Sequence, residues 1–182
     1  ASPAILILAG PLSFRMTCYY YRKFYYRSFL GSPPNCAVTA LPLGKYRGET
    51  ALFLFQNLHR YTFYIAFGFI VILSYDAALS FYRDGQWGVG VGSLVLTLNA
   101  LFLAAYTCGC HAFRHLIGGR MNRFSCKEKP TCRYSLWKGV SCLNGNHMLW
   151  AWISMIWVGL SDAYVRLVSM GILTDWNSWG AS

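Results

Sequence analysis

The chain has 182 residues, of which 55% are hydrophobic and only 12% are charged. About a quarter of the residues in a soluble domain are charged, so this composition argues against a soluble protein and favours one embedded in a lipid bilayer. The formal net charge of +10 is concentrated in the loops between apolar segments. That distribution argues against a nucleic-acid-binding surface and favours contact with anionic lipid or with an acidic protein.

Four apolar segments follow one another along the chain. A membrane-spanning helix needs about 20 apolar residues at a rise of about 1.5 Å each. Residues 1–14 are too few, and we interpret them as the end of a span whose beginning precedes this sequence, whereas residues 61–82, 87–117 and 148–173 are long enough for full spans. The sequence therefore predicts an all-α membrane protein. It is expected to form a single transmembrane helical domain over 1–182, with three full spans plus the end of a further N-terminal span.

Basic residues are concentrated in the two long connecting segments, 15–58 and 118–146, whereas the short turn at 83–86 is close to neutral. Because positively charged loops tend to remain in the cytoplasm, both long segments are predicted to be cytoplasmic loops. The turn and the C-terminus are then expected to face outside. The protein is therefore predicted to be a multi-pass protein of the plasma membrane. Within the last span, Asp162 and Arg166 are four residues apart and can pair on one helix face.

With this topology, every cysteine and histidine lies on the cytoplasmic side. Because the cytoplasm is reducing, paired disulfides explain this distribution poorly, and metal coordination or redox chemistry explains it better. The residues are Cys18, Cys36, His59, Cys108, Cys110, His111, His115, Cys126, Cys132, Cys142 and His147.

The closest grouping of these residues runs from Cys108 to His115. His111 and His115 are four residues apart and share one face of a helix, as two nitrogen ligands of one metal centre require. Gly109 permits the close approach of another backbone. Cys110 would point about 100° away from His111, so it can join the same site only if the helix end unwinds.

Three kinds of centre are compatible with these donors. Thiols and imidazoles together suit zinc, or an iron–sulfur cluster in which two histidines replace two cysteines on one iron. Haem held by two histidines of different helices is also open. A quinone headgroup, in turn, needs a flat apolar slot with a polar donor near the interface, for which Tyr20, Arg60 and Trp150 are candidates.

Four long stretches of the sequence resemble the membrane-anchor subunit of actinobacterial succinate dehydrogenase, specifically the mycobacterial type 1 form. They are RMTCYYYRKFYYRSFLGSPPNCAV (15–38), QNLHRYTFYIAF (56–67), GCHAFRHLIGG (109–119) and HMLWAWISMIWVGLSDAYVRLVSMGIL (147–173). The resemblance covers nearly the whole chain apart from residues 120–145.

The resemblance implies a specific function. Anchors of this family dock a flavoprotein subunit that oxidises succinate and an iron–sulfur subunit that relays the electrons, and they pass the electrons to menaquinone. The mycobacterial form is expected to lack haem and to hold a Rieske-type [2Fe-2S] cluster through two cysteines and two histidines. The anchor itself would carry out no chemistry on succinate.

The two cysteines and two histidines that would hold the cluster are predicted to come from five candidate residues, with His59 and His147 held in reserve. The residues alone leave two alternatives open. One is a cytochrome b-type anchor that binds haem b, and the other is a zinc-stabilised membrane scaffold without a redox role. The candidate ligands are Cys18, Cys36, Cys110, His111 and His115.

Overall fold

The structure, a computed structural model, describes residues 3–18, 21, 48–83, 85–119 and 132–179, with the side chains of these residues other than 3–6 and 48–57. These ranges contain six helices and one two-stranded hairpin, which confirms the predicted all-α fold. The helices are α1 (Pro3–Thr17), α2 (Gly48–Leu79), α3 (Val91–Cys108), α4 (His111–Gly118), α5 (Cys132–Gly145) and α6 (His147–Ser169), and the strands are β1 (Tyr82–Arg83) and β2 (Gln86–Trp87).

Three helical segments are long and apolar enough to cross a membrane, namely Leu58–Leu79, Val91–Cys108 and His147–Ser169. The prediction of three full spans is therefore confirmed. The predicted N-terminal segment 1–14 is helical as far as it is described, because α1 continues to Thr17. Its interpretation as the end of a further span stays a prediction.

The predicted span 87–117 is not one helix, so its predicted bounds are wrong. Strand β2 occupies its first residue, and the helix α3 ends at Cys108. Gly109 is still in the right-handed helical region, but Cys110 is extended, with φ −66° and ψ 145°, and it directly precedes α4. The extended backbone at Cys110 interrupts the helical hydrogen bonds and redirects the chain, although the apolar sequence continues through this point.

Helical structure also enters both of the predicted cytoplasmic loops. Helix α2 begins at Gly48, inside the predicted loop 15–58, and α5 lies inside the predicted loop 118–146. Helix α5 is ordered by packing against α4, where the guanidinium of Arg114 lies 5.0 Å from the centre of the Trp137 ring and donates to Ser141 Oγ at 3.0 Å. The hydrogen bond between Arg114 and Ser141 joins residues 27 positions apart, so no local sequence pattern predicts it.

The chain forms two compact units, Ala1–Ala66 and Phe67–Ser182. The prediction of a single domain over 1–182 stays a prediction. In the first unit, the end of α1 packs on the beginning of the apolar part of α2. Phe14 stacks on the imidazole of His59 with ring centres 4.6 Å apart, and it lies 6.3 Å from the ring of Phe63.

The core of the second unit is the antiparallel pair α3 and α6. The ring of Tyr106, near the end of α3, stacks on His147 at the beginning of α6 with centres 5.0 Å apart. Further along, Phe102 meets Trp157 edge to face at 5.5 Å, and Trp157 Nε1 donates to the carbonyl of Val95 at 3.2 Å. These contacts fix the register of the two spans.

The predicted turn at 83–86 is the tip of the hairpin. Arg83 pairs with Gln86 and Tyr82 pairs with Trp87 in an antiparallel register. Gly85 has a φ of 82°, a conformation that a residue without Cβ adopts at little cost. The Asp-Gly sequence of this turn is typical of two-residue hairpin connections.

The segment after α6 folds back onto the beginning of α3. Asp175 Oδ1 accepts hydrogen bonds from the backbone N–H of Gly92 at 2.9 Å and from the hydroxyl of Tyr164 at 2.7 Å. Asp175 therefore supplies the side-chain cap that Gly90, the residue just before α3, cannot provide.

We expect Asp175→Ala to lower the free energy of unfolding by about 1–2 kcal/mol, because it removes a helix cap and leaves two donors without their acceptor. Asp162→Ala is the matched control. Asp162 pairs with Arg166 at 2.9 Å as predicted, but both side chains are well exposed, so its loss should cost at most about 0.5 kcal/mol. Thermal unfolding of both variants in detergent tests this, and equal shifts would contradict the capping role.

Candidate metal centre

The described cysteines and histidines divide into buried and exposed groups. Cys18, Cys110 and His147 are each 2% exposed and His59 is 9% exposed. Cys132, Cys142, His111 and His115 are exposed, and Cys108 is intermediate. The predicted ligand Cys36 and the further cysteine Cys126 lie outside the described residues. Each unit thus buries one thiol and one imidazole.

All four buried donors lie at or near ends of helices or spans. Cys18 directly follows α1, and His59 is the second residue of the first apolar span. Cys110 lies between α3 and α4, and His147 is the first residue of α6. The apolar core of each span therefore contains none of these donors, as the sequence predicted.

In the first unit, the ring of His59 is fixed on two sides. Phe14 covers one face with an interplanar angle of 8°. Thr17 Oγ1 lies 2.9 Å from His59 Nδ1 and also donates to the carbonyl of Ser13 at 2.8 Å. The hydroxyl of Thr17 therefore fixes the Nδ1 edge of the imidazole, whichever of the two groups donates. A second partner of this kind is what orients metal-binding histidines.

In the second unit, Gly109 makes room for His147. A Cβ on Gly109 would lie 2.8 Å from the carbonyl oxygen of Ala105, 3.2 Å from that of Leu143 and 3.3 Å from His147 Nδ1. The predicted close approach at Gly109 is confirmed. The carbonyl of Gly109 also accepts a hydrogen bond from Asn144 Nδ2 at 2.8 Å. This bond ties the backbone beside Cys110 to the end of α5.

His111 and His115 do share one face of α4, and their rings meet edge to face with centres 4.9 Å apart. Partial burial, followed by the nearby His115 and Arg114, lowers the pKa of His111 below its usual value. Deprotonated imidazole is the form that binds metal, so His111 has suitable chemistry for a ligand. Both rings are exposed, however, unlike His59 and His147.

The three predicted quinone-binding residues differ in exposure where the structure describes them, and one of them lies outside the described residues. Tyr20 lies outside the described residues, and Arg60 is exposed on α2. Trp150, on α6, is half-buried, and its Nε1 is shielded from solvent with no hydrogen-bond partner in the described part of the chain. A shielded indole N–H is a donor available to a bound carbonyl group.

Several residues of the site were missed from the sequence. Thr17, Phe14 and Tyr106 are ordinary helix residues by pattern, and only the packing shows that they orient the two buried histidines. Two weak signals were available in the sequence. Thr17 is adjacent to Cys18, and Asn144 lies three residues before His147.

Within the described ranges, no three Cys, His, Asp or Glu side chains form a group that could hold a metal ion. The buried donors of each unit are a thiol and an imidazole, which are ligand types of both zinc sites and Rieske-type centres.

A sequence model described as actinobacterial succinate dehydrogenase subunit SdhC matches residues 1–171. The chain belongs to this SdhC family. Among solved structures, this SdhC chain is similar to a chain of the Mycobacterium smegmatis Sdh1 complex in the apo form, with 44% identity and a TM-score of 0.85. The match covers 96% of the SdhC chain described here and 64% of the mycobacterial one. No curated protein matches significantly.

Proposed function

We propose that this SdhC chain is the membrane anchor of a succinate:menaquinone oxidoreductase. In this role it docks the flavoprotein and iron–sulfur subunits on the cytoplasmic side of the plasma membrane and relays electrons to menaquinone through a Rieske-type [2Fe-2S] cluster. Membership of the SdhC family and similarity to a chain of an Sdh1 complex support the anchor role. Three helices able to span a membrane support the attachment.

The observation that carries the redox part of the proposal is the burial of two cysteines and two histidines. Shielding from water lowers the local dielectric and tunes the reduction potential of a bound cluster, so buried thiols and imidazoles suit a redox centre better than exposed ones. Two thiolates and two imidazoles are the ligand set of a Rieske-type centre.

Burial therefore favours Cys18 and His59 among the candidate ligands of the first unit, and Cys110 and His147 among those of the second. Cys110 and Cys18 were among the predicted ligands, and the two histidines were held in reserve. Ligation by His111 and His115 stays the competing assignment, because their spacing suits two nitrogen ligands.

Imidazole ligands raise the reduction potential of a two-iron cluster above that of an all-thiolate cluster, which suits a carrier that delivers electrons to quinone. The residues of this chain would then have defined tasks. Thr17 would hold the Nδ1 edge of the His59 ring, and the ring of Tyr106 would hold the plane of His147. Gly109 and Asn144 would hold the backbone that presents Cys110.

The cluster is tested on the complex purified from membranes. We expect iron and acid-labile sulfide beyond those of the soluble iron–sulfur subunit, together with the electron paramagnetic resonance signal of a reduced Rieske-type centre. A reduced α-band in the visible spectrum would replace this proposal with haem b. Zinc in the anchor without additional iron or sulfide would replace it with the non-redox scaffold.

The quinone part of the proposal is tested at Trp150. We expect Trp150→Phe to raise the KM for a menaquinone analogue by about tenfold, because an indole N–H that donates to a quinone carbonyl contributes roughly 1–1.5 kcal/mol. Succinate oxidation with a soluble artificial acceptor should be unchanged. Trp176→Phe is the matched control, since Trp176 is 79% exposed after α6. An unchanged KM in Trp150→Phe would exclude this donor.

A further inference from the structure

The chain reverses direction after α6. Gly171 has a φ of 71°, and its N–H donates to the carbonyl of Val168 at 3.0 Å. The N–H of Ile172 donates to the carbonyl of Leu167, also at 3.0 Å. These two bonds form the Schellman ending of a helix, in which a glycine in the left-handed region turns the chain. Residues 175–179 therefore run back beside the beginning of α3, and they are called the C-terminal strap below.

The C-terminal strap pairs with the link between β2 and α3 in the manner of an antiparallel strand. The N–H of Val91 donates to the carbonyl of Trp176 at 2.9 Å. The N–H of Ser178 donates to the carbonyl of Val89 at 3.0 Å, and Ser178 Oγ accepts from the N–H of Val89 at 2.9 Å. The strap therefore supplies partners for backbone groups that neither the hairpin nor α3 satisfies.

Three alternating glycines in the stretch 88–92 (GVGVG) leave the space in which the C-terminal strap lies. A Cβ on Gly88 would lie 2.5 Å from Trp179 Nε1 and 2.7 Å from Trp179 Cδ2. A Cβ on Gly92 would lie 3.1 Å from Asp175 Oδ2. The separations at Gly88 are closer than a Cβ approaches another side chain. A side chain at position 88 and the ring of Trp179 in its present place therefore exclude each other.

Trp179 anchors the C-terminal strap through its indole. The ring lies against the backbone of Gly88, and its Nε1 donates to the carbonyl of Gln86 at 3.1 Å. Three of the five strap residues are exposed, and among them Trp176 is 79% exposed. An element that is held by a few hydrogen bonds and one ring opens at a lower free energy than the packed helices that it connects.

We propose that the C-terminal strap is a reversible clasp, which locks the end of α6 to the beginning of α3 and opens as a unit while both helices stay folded. Its backbone bonds and the ring of Trp179 act on one short stretch of chain, so the loss of one contact weakens the others. The contact of Tyr106 with His147 fixes the opposite end of the α3–α6 pair, and the closed clasp fixes the second end. The device is independent of the proposed electron transfer.

The test is amide hydrogen exchange on the intact complex in detergent. In the native protein, we expect the amides of Val89, Val91 and Ser178 to share one protection factor, which is lower than that of the central turns of α3 and α6. Gly88→Ala and Trp179→Ala should each lower this shared factor by about tenfold or more, because each prevents the ring from lying on the backbone. Protection in the centres of both helices should stay unchanged.

Trp176→Ala is the matched control, because Trp176 belongs to the same strap but is exposed, and it should leave the protection unchanged. The double variant Gly88→Ala/Trp179→Ala should show the protection of Trp179→Ala alone, since no ring remains for the added methyl group to meet. Unequal protection of the three amides, protection as high as in the helix centres, or a further loss in the double variant overturns the proposal. Unchanged protection in Gly88→Ala or Trp179→Ala also overturns it, and if one of them fails to assemble the other decides.

Discussion

Cys110→Ser is expected to abolish the resonance signal of the Rieske-type centre in the purified complex. Cys110 is 2% exposed and follows the break after α3, so a serine there keeps the volume but supplies no thiolate for iron. Succinate oxidation with a soluble artificial acceptor should continue, whereas reduction of a menaquinone analogue should fall to background. Resonance spectra, iron content and the two activities are the measurements.

The matched control is Cys142→Ser, because Cys142 is an exposed free thiol in α5. It should leave the signal and both activities unchanged. A normal signal in Cys110→Ser would remove Cys110 from the ligand set.

A second pair of variants separates the two histidine assignments. His147→Ala should remove the signal if the buried residues are ligands, whereas His115→Ala should leave it intact. The reverse outcome would establish the exposed pair on α4 as the ligands. Loss of the signal in both variants would contradict a centre held by the buried pair alone.

Gly109→Ala is expected to destabilise the protein by about 1–3 kcal/mol and to reduce the cluster content together with stability, because an extra methyl group in a well-packed site forces the backbone to move. Its Cβ would lie 2.8 Å from Ala105 O and 3.3 Å from His147 Nδ1. Either the chain beside Cys110 or the imidazole must shift. Thermal unfolding in detergent and iron content measure the two effects.

Gly159→Ala is the control for this prediction. Gly159 lies within α6, and a Cβ there meets no atom within 4 Å. Alanine at this position should raise stability by roughly 0.5–1 kcal/mol, because it reduces the freedom of the unfolded chain. A Gly109→Ala variant with the stability and iron content of Gly159→Ala would show that the close approach at Gly109 has no functional role.

The spans were predictable because hydrophobicity is a local property. Twenty consecutive apolar residues identify a span whatever its neighbours are, and this explains the agreement at Leu58–Leu79 and His147–Ser169. The break at Cys110 was not predictable in the same way. The sequence there stays apolar, and the extended conformation is accompanied by contacts from α5 and α6, such as Asn144 on Gly109.

The candidate site was likewise predictable from the sequence only in part. The sequence alone established the donor types, their location at the helix ends and the favourable spacing of His111 and His115. It ranked those two histidines above His59 and His147, because spacing within one helix is visible in a sequence and burial is not.

Only the tertiary structure decided which donors lose contact with water and which side chains orient them. His59 is covered by Phe14 and held by Thr17, and both contacts cross more than 40 positions of the chain. Such contacts depend on how separate helices pack, and packing follows from the combined shapes of many side chains. Composition and periodicity were therefore sufficient for the membrane fold, whereas the environment of each ligand candidate required the packed chain.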